Sequence, residues 1–471
     1  MPAYSTLASA AEKALRMFYI VDPAKTTFLD LESVPDYISE AVPFFIATIT
    51  IEGIYYIIAD RKGLEEHKGD WNKGKLRLND TVTSIASGSI QQLFRFFIKG
   101  VEITSYVYVW ENFRLYPLDA TSLTTWFAAF LAADCAYYWF HRLAHEVNIM
   151  WAGHVVHHSS EYYNQSTALR QSFFQPFTSW MFYLPAALFI PPPMFAVHKQ
   201  LTTIYQYWIH TETIPRLGWL EYIINTPSAH RVHHGRNPYC IDKNYAGTLI
   251  IWDRMFGTYQ DELVYPQVVD SKDKEEKVAY GLTHPINTFN PITVQIHHLK
   301  HVFTTAYNTP GFVNKLKVFF YGPGWHEGTQ RLGDPEEIPK IDQKSPPAKF
   351  DPPMTSSTAW YTALHSVALV GFVDFALMNA KVFPNRYSQA LAGWIFFGFY
   401  SVSKMMENKK SATSIELLRM VTGLGLSALV AKNQVYNFSP SLINGLRVFY
   451  GASGIYMGYK LAKSFGKQKR E

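Results

Sequence analysis

The chain has 471 residues, with 43 Lys and Arg against 38 Asp and Glu for a net charge of +5. Charged residues make up 17%, well below the roughly 25% of soluble chains, and aromatics reach 16%, the belt-forming composition of proteins that live at lipid interfaces. Only Cys135 and Cys240 are present, which excludes a disulfide scaffold and any CxxC metal or redox motif. The modest charge, with no dense basic tract, excludes nucleic acid as a partner.

In chain order, the first 36 residues lack a basic segment leading into an apolar core, so no cleavable signal peptide is expected. Ala8–Tyr19 is expected to form a short amphipathic helix on a surface. A first membrane span runs from about Val42 to Ala59, with Glu52 as its only charge. The basic segment after it (Arg61, Lys62, Lys68, Lys73, Lys75, Arg77) is cytosolic by the positive-inside rule, which leaves residues 1–40 lumenal. Further spans are expected at about 80–98, 120–140, 173–190 and 194–209, the last two split by Pro191-Pro192-Pro193. Residues 41–262 would then form a membrane-embedded catalytic domain, and 263–356 a polar cytosolic extension ending in a Pro- and Lys-rich linker. Four more apolar segments at about 358–380, 386–404, 413–431 and 441–461 make a C-terminal region over 357–465, followed by a basic tail, 466–471. The Gly-rich character of the last two suits close packing in a bilayer; the alternative for all four is a soluble helical bundle. The expected architecture is therefore all-α, a polytopic bundle of about nine spans with both the histidine site and the tail on the cytosolic side.

The histidines carry the chemistry. Ten of the 17 fall between His141 and His234, a fifth of the chain. His141-Arg-Leu-Ala-His145 ends the third span, and His210 closes the fifth. His154-Val-Val-His157-His158 and His230-Arg-Val-His233-His234 repeat one pattern of i, i+3, i+4. Helix positions three and four apart share a face, so each cluster can aim two or three imidazoles at one point. Imidazole suits iron, zinc and copper. Nine convergent rings exceed the needs of one ion and require two metals. Catalytic zinc uses three protein ligands, which argues against a zinc hydrolase. Outside these clusters, His67, His198, His284, His326 and His365 are expected to be ordinary hydrogen-bonded residues. His297, His298 and His301 are expected to lie on the surface, without matching partners.

The clusters, with Asp134 and Tyr137-Tyr138-Trp139 before them and Asn244-Tyr245 and Trp252–Thr258 after them, resemble the fatty acid hydroxylase superfamily of membrane di-metal oxygenases. The superfamily resemblance covers about 120–260. Gln206–Glu212, Asn225–His230, Gly322-Pro323-Gly324-Trp325 and Arg331-Leu332-Gly333 are similar to the alkylglycerol monooxygenase branch, over most of 40–340. Many superfamily members carry His or Asn where this chain has Gln206, a poor metal ligand, so His210 is left to bind alone or through a water.

The resemblance implies two irons held by His141, His145, His154, His157, His158, His210, His230, His233 and His234. It also implies tetrahydrobiopterin as the electron source, O2 as co-substrate, and oxygen insertion at the carbon next to the ether bond of an alkylglycerol lipid. The alternative within the superfamily is a sterol or fatty-acyl hydroxylase or desaturase fed by cytochrome b5; a non-catalytic metal-binding membrane protein is a third class. The sequence has no Gly-rich nucleotide fingerprint and no cytochrome-like segment, so the reductant comes from outside, and no obligate protein partner is inferred. Asp134, one heptad before His141, is expected to orient a ligand ring, and Glu146, Glu161, Glu212 and Asp242 are further candidates, the glutamates being equally open to a reading as solvated surface charges. Glu146, next to His145, is expected to bind the pterin. Lys467 and Lys469, in the Lys467–Glu471 tail, resemble an endoplasmic-reticulum retrieval signal.

Overall fold

The computed structural model describes residues 2–62, 76–262, 276–345, 347–379, 385–433 and 439–468. Of the basic segment that orients the first span, Lys68, Lys73 and Lys75 lie outside the described residues, as does the retrieval-like tail from Lys469 onward. Among the described residues the chain is helical, and its only β pairing is a single bridge between Gly235 and Tyr280. The helices are α1 (Pro2–Arg16), α2 (Tyr37–Lys62), α3 (Leu78–Phe113), α4 (Leu123–Glu146), α5 (Asn148–His158), α6 (Gln175–Ser179), α7 (Pro192–Trp208), α8 (Pro227–His234), α9 (Ile251–Phe256), α10 (Pro291–Asn308), α11 (Phe312–Phe320), α12 (Ser356–Met378), α13 (Asn385–Met406), α14 (Ala412–Asn433) and α15 (Pro440–Gln468).

All the expected spans but one lie on single helices. The exception is 173–190, which forms the short α6 and then a 3-10 stretch, Trp180–Leu188. Pro185 sits inside that stretch, where it removes a backbone donor and crowds the preceding turn, which disfavours a continuous α-helix. Among the described residues two helices, α2 and α12, are long and apolar enough to cross a membrane, so the all-helical architecture is seen but nine spans are not. The second expected span continues well past residue 98, and α3 is about 54 Å long at 1.5 Å per residue.

The chain divides into two compact units, Met1–Ile286 with Val294–Lys349, and Asn287–Thr293 with Phe350–Glu471. In the first, α2 packs on α7 through Tyr37, Ala41, Val197, Leu201, Ile204 and Tyr207. A second core joins α3, α4 and the start of α7 through Tyr106, Trp126, Ala129, Tyr183 and Phe195, with the Tyr106 and Phe195 rings stacked at 4.0 Å. These contacts fix where α4 and α7 end, and therefore where His141, His145 and His210 stand. His198 is a core histidine here, with Nδ1 2.8 Å from the Tyr19 hydroxyl.

In the second unit α12–α15 pack around a buried polar group. Arg419 donates to both oxygens of Glu416 and to His365 Nδ1 (2.9 Å), and Tyr361 and Ser401 also donate to Glu416. His365 Nε2 lies 3.1 Å from the Ser453 hydroxyl, so this ring is the hydrogen-bonded histidine its isolation predicts.

Candidate metal centre

Four short pieces of backbone bring nine imidazoles together. His141 and His145 lie one turn apart at the end of α4, and His210 follows α7 by two residues. α5 carries His154, His157 and His158; α8 carries His230, His233 and His234. α8 starts with Pro227 at its first position, where the missing N–H is no loss, and is only eight residues long. All nine rings are buried.

The rings form two groups, each with its ligand nitrogens within 4.8 Å of one another: His141, His145, His154, His158 and His233 in one, and His157, His210, His230 and His234 in the other. The sequence pattern is split between them, which spacing alone does not reveal. On α5 the i, i+4 pair (His154, His158) joins the first group while His157 turns to the second. On α8 the assignment reverses, with His230 and His234 in the second group and His233 in the first. Successive residues on a helix are 100° apart, so adjacent histidines must face different points. Each HxxHH motif therefore serves both groups.

The outer nitrogens explain the orientation of the rings. The Nδ1 atoms of His141, His157, His210 and His233 lie 2.7, 3.1, 2.7 and 2.9 Å from the backbone oxygens of Tyr245, Arg170, Gln206 and Lys243. His154 Nδ1 is 3.1 Å from Gln175 Oε1. With Nδ1–H donating outward, each Nε2 keeps its lone pair pointing inward, the tautomer a metal ligand needs. The inner nitrogens crowd together: the Nε2 atoms of His141 and His154 are 2.9 Å apart, and those of His210 and His230 are 3.0 Å apart. Nε2 of His145, His233 and His234 are buried without a hydrogen-bond partner. Burial, with the neighbouring rings adding to it, holds His157, His158, His230 and His234 well below the usual imidazole pKa. Burial also holds His154 down to about 4 and His233 to about 3. Neutral, inward-pointing and otherwise unsatisfied imidazoles in groups of five and four fit two transition-metal ions.

The carboxylates act one step further out. Asp134 does not touch a histidine. It accepts from the N–H groups of Thr248 and Leu249 (2.8 and 2.9 Å) and from Trp252 Nε1 (3.0 Å). Asp253 accepts from the N–H groups of Tyr245 and Ala246, each at 2.8 Å. Together they clamp the 245–249 segment whose Tyr245 carbonyl aligns His141. Asp242 comes closest to a ring, its Oδ1 3.7 Å from His145 Nδ1; burial, then the Glu146 charge, pushes its carboxyl up to about 6. Glu212 accepts from the Tyr280 hydroxyl at 3.4 Å. Arg231, inside the second HxxHH motif, pairs with Glu262 through Nε and Nη2, both at 2.8 Å. The side-chain amide of Gln206 donates to the Thr202 carbonyl (2.9 Å), and its backbone carbonyl orients His210. Gln175, Glu262 and the four backbone carbonyls are absent from the sequence reading, and carbonyls leave no residue-type signal to find.

Glu146 is buried between two guanidiniums, with Oε1 2.8 Å from Arg142 Nε and Oε2 3.1 Å from Arg331 Nη1. Arg331 is brought there by a tight turn in which Gly322 N–H donates to the Arg331 carbonyl (2.8 Å). Gly333 closes that turn at φ +98°, where a Cβ would lie 2.7 Å from the Gly324 oxygen. His298 is half-buried rather than superficial, its Nε2 2.7 Å from Asn148 Oδ1. His301 is exposed.

The fatty acid hydroxylase family matches residues 126–258, the stretch that holds every histidine of both groups. Over nearly the whole chain, the protein is similar to alkylglycerol monooxygenase of Homo sapiens, with 44% identity over 95% of this chain and 94% of that protein. The chain belongs to the alkylglycerol monooxygenase family. The family member of Xenopus tropicalis is 45% identical over 93% of this chain and 91% of its own, and that of Danio rerio 40% over 95% and 94%. No solved structure matches. Family membership makes this chain a lipid-metabolising monooxygenase, and the family together with the apolar helices α2 and α12 suggests a membrane protein.

Proposed function

We propose that this protein hydroxylates the carbon adjacent to the ether bond of alkylglycerol lipids. The resulting hemiacetal transfers its hydroxyl proton and breaks the carbon–oxygen bond, giving a fatty aldehyde and a glycerol derivative. His141, His145, His154, His158 and His233 would hold one iron, and His157, His210, His230 and His234 the other. Two irons bound there would supply O2 activation, and tetrahydrobiopterin the electrons.

What the chain's own residues contribute is position and exclusion. Buried imidazoles, fixed by carbonyls on their outer nitrogens, hold the ligand set rigid, and the buried surroundings keep bulk water from the reacting centre. Glu146 is the proposed pterin contact: Arg142 and Arg331 fix its carboxylate next to His145, where it would accept a charge-assisted hydrogen bond from a protonated pterin ring. The proposed location is the endoplasmic-reticulum membrane with the histidine site facing the cytosol, so that lipid tails arrive from the bilayer and pterin from water.

The observation that carries the reading is the partition of nine imidazoles into two adjoining buried groups, in a chain similar along its length to alkylglycerol monooxygenases. The test is purified protein with labelled alkylglycerol, with and without tetrahydrobiopterin. Aldehyde formation that needs the reduced pterin supports it. Turnover that instead needs cytochrome b5, or accepts only sterols or fatty acyl chains, would replace it.

A further inference from the structure

Residues 291–320 fold into a helical hairpin, α10 and α11, within a stretch that reads as a wet extension. One side of the hairpin is seated. Val302, Ala306 and Val318 are buried against Ile149, Phe319 and Trp325. Asn148, the first residue of α5, donates its side-chain amide to the Val318 carbonyl and its N–H to the Tyr321 carbonyl, both at 2.8 Å. The hairpin thus rests directly on the start of the helix that carries His154, His157 and His158, beside the end of α4.

The other side is bare and apolar. On α10, Ile296, Phe303 and Tyr307 recur at i, i+7 and i+11 and are 43%, 55% and 82% exposed. On α11, Phe312, Val313, Leu316 and Phe320 fall at i, i+1, i+4 and i+8, also on one face, and are 74%, 64%, 41% and 58% exposed. An exposed apolar stripe of this extent marks a surface made to be covered. Its charge states by what. Between Pro291 and Trp325 the sequence has Lys300, Lys315 and Lys317 and no Asp or Glu, a local charge of +3 from three lysines and no carboxylates. Neither helix can span: α11, with nine residues, is about 13.5 Å long against a hydrocarbon core of about 30 Å, and α10 carries His297, His298, Lys300 and His301. Apolar residues on one side, lysines and no acids together describe a helix pair that lies in an anionic lipid interface.

We propose that the α10–α11 hairpin is a monotopic membrane contact, its aromatic tip (Tyr307, Phe312) sunk into the interfacial layer and its lysines against anionic headgroups. This rests on the reading of the chain as membrane-embedded. Because the hairpin is seated on α5, its contact sets the depth of the histidine groups relative to the lipid surface.

The test uses the full-length protein in phosphatidylcholine vesicles containing phosphatidylserine. An environment-sensitive fluorophore is attached at Phe312→Cys, with parent protein treated identically to subtract labelling at Cys135 and Cys240. Glu336→Cys, in an exposed 3-10 turn, and Ile51→Cys, on the outer face of α2, serve as references. The label at 312 should be quenched by lipids spin-labelled near the headgroup, and iodide should quench it at least about threefold less than the label at 336. Iodide quenching equal to that at 336, or protection from both quenchers (which would mean a protein partner or second copy covers the hairpin), would overturn the proposal. The label at 51 keeps the two readings apart: if it too escapes the lipid quenchers, the membrane reading has failed; if it alone is quenched, only the hairpin proposal has.

Discussion

Glu262→Gln probes the framework of the metal centre without altering a histidine. Glu262 accepts from Arg231 Nε and Nη2 at 2.8 Å and from the Ser228 hydroxyl at 3.0 Å, and both charged side chains are about 5% exposed. The amide keeps the shape and removes the charge, leaving a guanidinium buried with a neutral partner. Breaking a buried pair in this way costs about 3–5 kcal/mol. The lower end applies here, about 3 kcal/mol, because Arg231 keeps bonds to the Thr211 and Ile214 carbonyls (3.1 and 2.9 Å). Those same bonds tie α8 to the turn after His210, so the second histidine group loosens first. Metal affinity there should weaken by about 10- to 100-fold, as when other supports of ligand residues are removed. The assay is metal content per chain across a chelator titration, read beside thermal unfolding in the same detergent. A variant that melts with wild type and holds both metals to the same chelator concentration would refute the idea that this pair holds α8.

Four further outcomes follow from the same geometry. His157→Ala and His158→Ala, neighbours in sequence, should each abolish turnover while depleting different groups, leaving about one metal per chain in each case; unchanged metal content in either would break the partition. Asp134→Asn should lower kcat by about 10- to 100-fold with lipid KM nearly unchanged, since the carboxylate acts on His141 only through the Tyr245 carbonyl; a purely lipid-KM effect would contradict this. Gln206→Ala should change turnover by no more than about twofold, because only its backbone oxygen faces His210, whereas His210→Ala should be inactive; a dead Gln206→Ala with intact folding would make the side chain part of the site. Glu146→Gln should raise the pterin KM more than the lipid KM, and equal increases would remove Glu146 from the pterin site.

Much of the site was legible because its chemistry sits in residue types at helical spacings. HxxxH and the two HxxHH motifs mark the ligand set, and 3.6 residues per turn explains why they converge. Spacing alone assigns each motif to one spot, whereas the 100° step between His157 and His158 sends them to different groups. The rings are aligned by carbonyls of Tyr245, Arg170, Gln206 and Lys243, which every residue possesses, so position in the fold rather than identity makes them matter. Asp134 stood out as a carboxylate inside an apolar helix, yet its partners are two backbone N–H groups and the Trp252 indole, over a hundred residues away. Long apolar runs located α2, α4 and α12–α15. The 173–190 run misled because apolar content does not report backbone hydrogen bonding, and Pro185 interrupts it. The α10–α11 hairpin hid behind histidines and lysines that make its average composition polar while one face stays apolar.

Nine histidines in groups of five and four are proposed to hold two irons that serve one oxidation. Elemental analysis of freshly purified, fully active protein, with specific activity measured on the same sample, tests this most directly. About two irons per chain are expected, with activity rising and falling in proportion to iron content. Full activity with a single metal per chain, or with zinc in place of iron, would contradict it.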